Sequence, residues 1–189
     1  MLSELGDVSD HSTCLLKFVN YDKIVGMHKL SIVIPCFNEE RFVDEVIRKV
    51  EAVSLPQNWQ KEIIIVNDCS SDGTGKKLAK YADRHIVISR NKNGGKGAAV
   101  KSGLSRVSGD FVLIQDADLE YDPNDYRRMI SVLDRNHRVI FGSRLRQKNK
   151  CFNIVYLYGN RTLTLIFNTL FGSKFTDITT CYKLFPSEV

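Results

Sequence analysis

Phe111-Val112-Leu113-Ile114-Gln115-Asp116-Ala117-Asp118-Leu119-Glu120 is the stretch on which the fold turns. Four consecutive apolar residues suit a strand buried on both faces, as strands of parallel sheets are, and predict a strand over 111–115. Two carboxylates one residue apart, Asp116 and Asp118, then emerge where that strand ends. Carboxylate oxygens suit Mg²⁺ or Mn²⁺, and Mg²⁺ commonly binds through one or two carboxylates plus the phosphates of a substrate. Asp is equally at home in turns, where its side chain bonds the nearby backbone. The pair therefore draws its meaning from its neighbours.

Working outward, strand-like runs fall at 30–34, 62–66, 85–89 and 138–141, and stretches with helical periodicity at 39–53, 74–82, 96–107 and 124–134 separate them. This alternation predicts an α/β fold with a mostly parallel central sheet and helices on both faces. Ligands of such sheets bind beyond the carboxyl ends of the strands. The segment Phe152 to Phe171, rich in Ile, Leu, Phe and Tyr but broken by Gly159-Asn160-Arg161, predicts an amphipathic helix, with core packing expected ahead of an interface. Another strand-like run, Cys181 to Phe185, follows. Residues 1–28 read as an extension, with Met27 as an alternative start, and 29–189 as one domain expected to continue past Val189.

The chain has 189 residues, of which 43% are hydrophobic, enough for a substantial core. Its five cysteines are scattered, without a Cys-x-x-Cys pair, which argues against a disulfide framework or a zinc site and for a reducing cytosol. No apolar stretch reaches the ~18 residues of a spanning helix and the N-terminus lacks a secretion signal pattern, so the expected location is the cytoplasm. The Asn160-Arg161-Thr162 sequon is then accidental. Net charge is +5, with Arg144, Arg146, Lys148 and Lys150 concentrated just before the 152–171 segment. Such a run is either a solvated face or a contact for an anion, whether phosphate or an anionic membrane surface. Nucleic acid is not expected as a partner, since no recognition signature accompanies the basic residues. The sequence leaves both monomer and homo-oligomer open.

Each strand-like run ends in a polar cluster. After the first comes Pro35-Cys36-Phe37-Asn38-Glu39-Glu40, where Pro35 is expected to end the ladder and Asn38 to cap a helix whose positive end Glu39 and Glu40 favour. After the second, Asp68-Cys69-Ser70-Ser71-Asp72-Gly73 begins like a calcium loop, but Ala79 stands where a bidentate Glu is required. Asp68 can instead accept hydrogen bonds from a ribose or base edge, with Ser71 or Asp72 capping the next helix. Gly94-Gly95-Lys96-Gly97 fails the Walker pattern, yet a glycine turn with a lysine at a helix start can hold an anion. Glu120 adds a third carboxylate near Asp116 and Asp118, and their mutual repulsion calls for a cation. Arg144, in Gly142-Ser143-Arg144, and Arg161 are candidates to grip a phosphate in bidentate fashion.

In this order the clusters resemble the family 2 inverting glycosyltransferases of GT-A fold, over residues from about 29 to the end. The resemblance rests on Ser31-Ile32-Val33-Ile34-Pro35-x-x-Asn38-Glu39, Val66-Asn67-Asp68-x-Ser70-x-Asp72-Gly73-Thr74, Gly95-Lys96-Gly97, Asp116-x-Asp118 and Gly142-Ser143-Arg144. Asp118-Leu119-Glu120, Thr176-Asp177 and Tyr182-Lys183 are similar to the branch of dolichyl- and undecaprenyl-phosphate sugar synthases, while the Gln-x-x-Arg-Trp of processive synthases is absent.

The resemblance implies a UDP- or GDP-linked sugar donor held by Pro35, Asn38, Glu39, Asp68, Lys96, Asp116 and Ala117, with Asp118 and Glu120 carrying Mg²⁺ or Mn²⁺ on the diphosphate. The acceptor it implies is a polyprenyl phosphate gripped by Arg144 and Arg161 or, as the alternative, a glycan hydroxyl for which Asp177 would be the base. A lipid acceptor places the enzyme peripherally on the cytoplasmic face of a membrane, with 152–171 as the docking segment. Asp118, Arg144 and Asp177 are the expected catalytic residues. A non-catalytic nucleotide-sugar binding fragment is the competing reading. A nucleotidyltransferase would carry its glycine-rich loop directly after the first strand, where Pro35 to Glu39 stand.

Overall fold

The computed structural model describes residues 26–134, 138–143 and 154–188, with the side chains of 154–157 excepted. The extension expected over 1–28 therefore lies almost wholly outside the described residues, as do Arg144, Arg146, Lys148 and Lys150. The described residues fall into two compact units, 26–142 with 180–188, and 143 with 154–179.

The larger unit is built on a six-stranded sheet. Its strands are β1 (His28–Cys36), β2 (Trp59–Asn67), β3 (Ile86–Ser89), β4 (Phe111–Ile114), β5 (Ile140–Phe141) and β6 (Lys183–Pro186). The order is β3-β2-β1-β4-β6-β5. The pairs β1–β2, β1–β4 and β2–β3 are parallel, whereas β6 runs antiparallel to both β4 and β5. The mostly parallel sheet is thus borne out. The run at 138–141 contributes only an edge strand of two residues, separated from β4 by β6.

The centre of the sheet explains its stability. Ile32, Val33, Ile34, Ile64, Ile65, Val66 and Leu113 are wholly buried, each contributing roughly 1.5–3 kcal/mol by removal from water. At the amino ends of β1 and β4, Glu62 gathers Lys29 Nζ at 2.6 Å, Ser31 Oγ at 2.5 Å, and the amide and hydroxyl of Ser108 at 2.8 and 2.6 Å.

Helices cover both faces, as the alternation required. These are α1 (Val43–Ala52), α2 (Thr74–Ala79), α3 (Gly95–Leu104) and α4 (Asp125–Ser131). Gly103 of α3 lies so close to the sheet that a Cβ there would fall 2.4 Å from Val33 and 3.2 Å from Val66. Asn67, whose side chain projects to the opposite face from that of Val66, meets Gly75 of α2 instead. Lys61 then secures the end of α1, donating to the carbonyls of Val50, Glu51 and Val53 at 2.8, 2.6 and 2.6 Å.

The smaller unit contains α5 (Ile154–Phe171) and the loop to Thr179. Here the expectation of core packing is corrected. Leu163, Leu165, Ile166, Leu170 and Phe171 are all at least half exposed. Thr164, by contrast, is buried. Helical spacing alone does not say whether an apolar stripe meets a core or an interface.

Candidate active site

Pro35 behaves differently from expectation, and the difference shapes the site. Val33 O accepts from Gln115 N at 3.0 Å on the β4 side, and Cys36 O accepts from Asp68 N at 2.8 Å on the β2 side. Backbone groups alternate sides along a strand, so the donor that Pro35 lacks would have faced β4. The β1–β4 ladder accordingly stops at Val33 while the β1–β2 ladder runs on to Cys36. Past this point β1 and β4 are no longer paired, and Asp116 and Asp118 follow directly after Gln115.

Asn38 does not cap α1. Its backbone is left-handed at φ 55°, and its Oδ1 accepts the amide and the hydroxyl of Ser71 at 2.9 and 3.3 Å. Glu39 begins a turn instead, its carbonyl accepting from Phe42 N and Val43 N, and the helix starts at Val43. The β1 and β2 loops are stitched together by Asn38 N to Ser70 Oγ at 3.0 Å, Glu39 N to Thr74 Oγ1 at 2.9 Å, Glu40 N to Asp72 Oδ2 at 3.1 Å and Gly73 N to Glu40 Oε2 at 2.9 Å. Asp72 also accepts from Thr74 N at 2.9 Å, close to the capping role expected of it.

Asp68, expected to meet a base or ribose directly, is 1% exposed. Its carboxylate is engaged by the Arg90 guanidinium and, at 3.2 Å to each oxygen, by Gly94 N. The polar group turned outward here is Arg90, whose side chain keeps 22% of its exposure. Sequence reasoning passed over Arg90; its position directly after β3, one strand over from Asp68, was the available signal.

Beyond β4 the carboxylates lie near enough to raise one another's proton affinity. Lys96, in the first turn of α3, lies 2.5 Å from Asp116 Oδ1. Asp118 Oδ1 accepts the amide of Glu120 at 2.9 Å, which leaves Oδ2 open among the described residues. Burial first, and then the charges of Asp116 and Glu120, raise the proton affinity of Asp118 against the pull of the Glu120 amide and Lys96. Glu39 is raised for the same reasons, by burial and then by Asp118, Asp116 and Asp72. Lys96 is also raised: burial opposes its charge, but Cys181 and Asp116 outweigh it. Cys181, another residue missed in the sequence, is buried beside this pair, its thiol pushed up to about 12 by burial and by Asp116.

This set fits a divalent cation bound through a diphosphate. Among the described residues no group of three or more His, Cys, Asp or Glu side chains is placed to hold a metal ion by itself. None is needed when phosphate oxygens supply the remaining ligands. The hard oxygen donors of Asp118 and Glu120 match Mg²⁺ or Mn²⁺, and the mutual repulsion of Glu39, Asp116 and Asp118 is what a cation would relieve. Lys96 supplies a positive charge on the same side.

In the smaller unit, Asp177 is 1% exposed and its Oδ1 accepts from Asn160 Nδ2, Thr179 N and Thr179 Oγ1 at 2.9, 3.1 and 3.0 Å. It ties the loop before β6 to α5. Asn160, the sequon residue, is thereby engaged within a helix, and Arg161 beside it is exposed. Arg144 lies outside the described residues.

A sheet of this order, with its polar clusters beyond the carboxyl ends of β1, β2 and β4, is a GT-A fold. Solved neighbours agree. A glucosyl-3-phosphoglycerate synthase from Mycobacterium tuberculosis, in complex with Mn²⁺, UDP and glucosyl-3-phosphoglycerate, superposes with a TM-score of 0.63 at 20% identity, over 85% of this chain and 57% of that one. S. aureus TarS 1–349 in complex with UDP-GlcNAc gives 0.52 at 19% identity, over 84% and 45%. The sequence model described as Glycosyl transferase family 2 matches residues 31–189, and the chain belongs to that family. It is 36% identical over 130 residues to an undecaprenyl-phosphate 4-deoxy-4-formamido-L-arabinose transferase of Salmonella paratyphi A, and 35% identical to that of Salmonella choleraesuis. The match covers 66% of this chain but only 39% of those relatives, so the chain spans about two fifths of their length.

Proposed function

We propose that this chain carries the catalytic part of an inverting glycosyltransferase that moves a sugar from a UDP-linked donor to a polyprenyl phosphate. The observation that carries the reading is the Lys96–Asp116 ion pair beyond the end of β4, with Asp118 two residues on and Glu39 near enough for the carboxylates to raise one another's proton affinity. The UDP complexes of the structural neighbours support the choice of base, and the undecaprenyl-phosphate relatives support the acceptor. Both units belong to the catalytic domain.

Pro35, Asn38 and Glu39, with Asp116 and Ala117, hold the nucleotide. Asp68 acts at one remove, by holding Arg90 and Gly94. Lys96 grips the diphosphate as a point charge. Asp118, with Glu120, holds Mg²⁺ or Mn²⁺, whose contribution when bound is to stabilise the negative charge gathering on the departing diphosphate. The acceptor oxygen attacks the anomeric carbon from the face opposite the leaving group, and the configuration inverts.

A phosphate acceptor arrives already anionic, so no protein base has to take a proton. The burial of Asp177 and its three accepted hydrogen bonds favour this acceptor over a hydroxyl, which would need an accessible base. Arg144 and Arg161 hold the acceptor's phosphate. Leu163, Ile166 and Leu170 recur at helical spacing on α5 and are 53%, 50% and 72% exposed; this stripe rests on the membrane surface where the lipid lies. No described helix is long and apolar enough to cross a membrane.

The test is UDP release from a panel of UDP-sugars, with and without undecaprenyl phosphate in detergent, in Mn²⁺ and in EDTA. Release that needs both lipid and metal, with a matching lipid-linked sugar by mass spectrometry, supports the reading. Release driven equally well by a soluble glycan overturns the choice of acceptor.

A further inference from the structure

Gln115 is wholly buried at the hinge between β4 and the Asp116–Asp118 turn, and no part of the chemistry described so far uses it. Its amide N donates the last rung to Val33 O. Its side-chain Oε1 accepts two hydroxyls, Tyr126 from α4 at 2.7 Å and Tyr182 from the approach to β6 at 2.9 Å. Its Nε2 donates to the carbonyl of Asp116 at 2.8 Å. The two faces of the amide therefore have fixed roles. Turning it over would set Oε1 against the Asp116 carbonyl, acceptor against acceptor in a buried site.

The tyrosines are themselves braced. Tyr182 packs against Tyr121 and Tyr126 at ring distances of 4.4 and 5.9 Å, and Tyr121 OH accepts the amide of Cys181 at 2.8 Å. Burial raises the proton affinity of both Tyr126 and Tyr182, so both hydroxyls keep their protons and remain donors at any physiological pH.

We infer that Gln115, clamped by Tyr126 and Tyr182, is a positioning residue for the metal–diphosphate site. It fixes the peptide between Asp116 and Ala117, and so fixes where the Asp116 and Asp118 carboxylates point. The inference rests on the reading of these carboxylates given above. Partners that orient ligands from behind commonly change metal affinity by about 10- to 100-fold when removed.

The test uses the full chain and measures Mn²⁺ affinity in the presence of UDP, by the electron paramagnetic resonance signal of free Mn²⁺, beside UDP affinity in EDTA and the melting temperature. Tyr126→Phe and Tyr182→Phe each leave one donor on Oε1 and are expected to keep Mn²⁺ affinity within about twofold. The double variant and Gln115→Met are expected to weaken it about tenfold or more, with a smaller loss of UDP affinity in EDTA, since Asp116 and Ala117 also touch the nucleotide. The double variant decides the matter if Gln115→Met does not fold. Full Mn²⁺ affinity in the double variant or in Gln115→Met, even with a lowered melting temperature, would show a packing role only and overturn the inference. Absence of UDP-dependent Mn²⁺ binding in the unaltered protein would be a different failure, that of the metal assignment itself, and would take this inference with it.

Discussion

Lys96, in the first turn of α3, reaches to 2.5 Å from Asp116 Oδ1, the first carboxylate beyond β4. The contact links the glycine-rich turn after β3 to the carboxylate turn after β4, and it holds a cation where a diphosphate would be received. The two side chains are 53% and 22% exposed, so the pair contributes little to folding, within about 1 kcal/mol.

Lys96→Ala should therefore separate binding from stability. UDP affinity measured by calorimetry is expected to fall at least tenfold, the loss of a charge-assisted contact worth about 1.5–3 kcal/mol. The denaturation midpoint should move little. A large loss of stability with unchanged UDP affinity would make the ion pair structural.

Asp118→Ala should abolish transfer while the fold persists, because the substitution removes the carboxylate proposed to hold the metal and relieves the repulsion with Asp116 and Glu120. The sign of the stability change follows from the raised proton affinity. In the metal-free protein the ionised carboxylate disfavours the fold above the ordinary carboxylate range, and the penalty vanishes where Asp118 is protonated in both states. The melting temperature in EDTA at pH 7 is expected to rise in the variant, and the stabilisation that Mn²⁺ with UDP confers on the unaltered protein should disappear. Retention of wild-type transfer would sink the metal assignment.

Glu62 carries the opposite sign. Although burial opposes its charge, Lys29, Ser108 and Ser31 lower it from 4.5 to about 2. Its stabilisation is complete above pH 4.5 and is lost as pH falls towards 2. Glu62→Gln should lower unfolding free energy at pH 7 by about 2–3 kcal/mol and flatten the decline in stability between pH 4.5 and about 2 in urea titrations. An unchanged acid limb would remove Glu62 from the account.

Arg161→Ala is expected to raise the Michaelis constant for the lipid phosphate severalfold and leave that for the nucleotide sugar within about twofold, since a phosphate grip on the acceptor contributes nothing to donor binding. Steady-state kinetics with each substrate varied in turn would show it. Equal effects on both constants would argue against the acceptor role.

The sequence announces the parallel core because β1, β2 and β4 are short apolar runs whose burial on both faces leaves no polar alternation. It hides the antiparallel β6 between β4 and β5, because that placement depends on pairing Lys183–Pro186 with residues some seventy positions earlier. Asn38 departs from the expected cap for a related reason: a local backbone amide and a distant partner compete for its side-chain oxygen, and Ser71, 33 residues away, wins. Asp116, Asp118 and Lys96 were legible because their residue types announce chemistry. Arg90 and Gln115 were not, since each acts through another side chain or a backbone group contributed by a different element.

The central claim, a metal-dependent nucleotide-sugar site beyond the end of β4, is tested most directly by titrating the chain with UDP and with GDP in a calorimeter, each in Mn²⁺ and in EDTA. The account predicts that UDP binds in Mn²⁺, that EDTA weakens the binding at least tenfold, and that GDP binds more weakly under both conditions. Binding of neither nucleotide, or UDP binding indifferent to the metal, would contradict it.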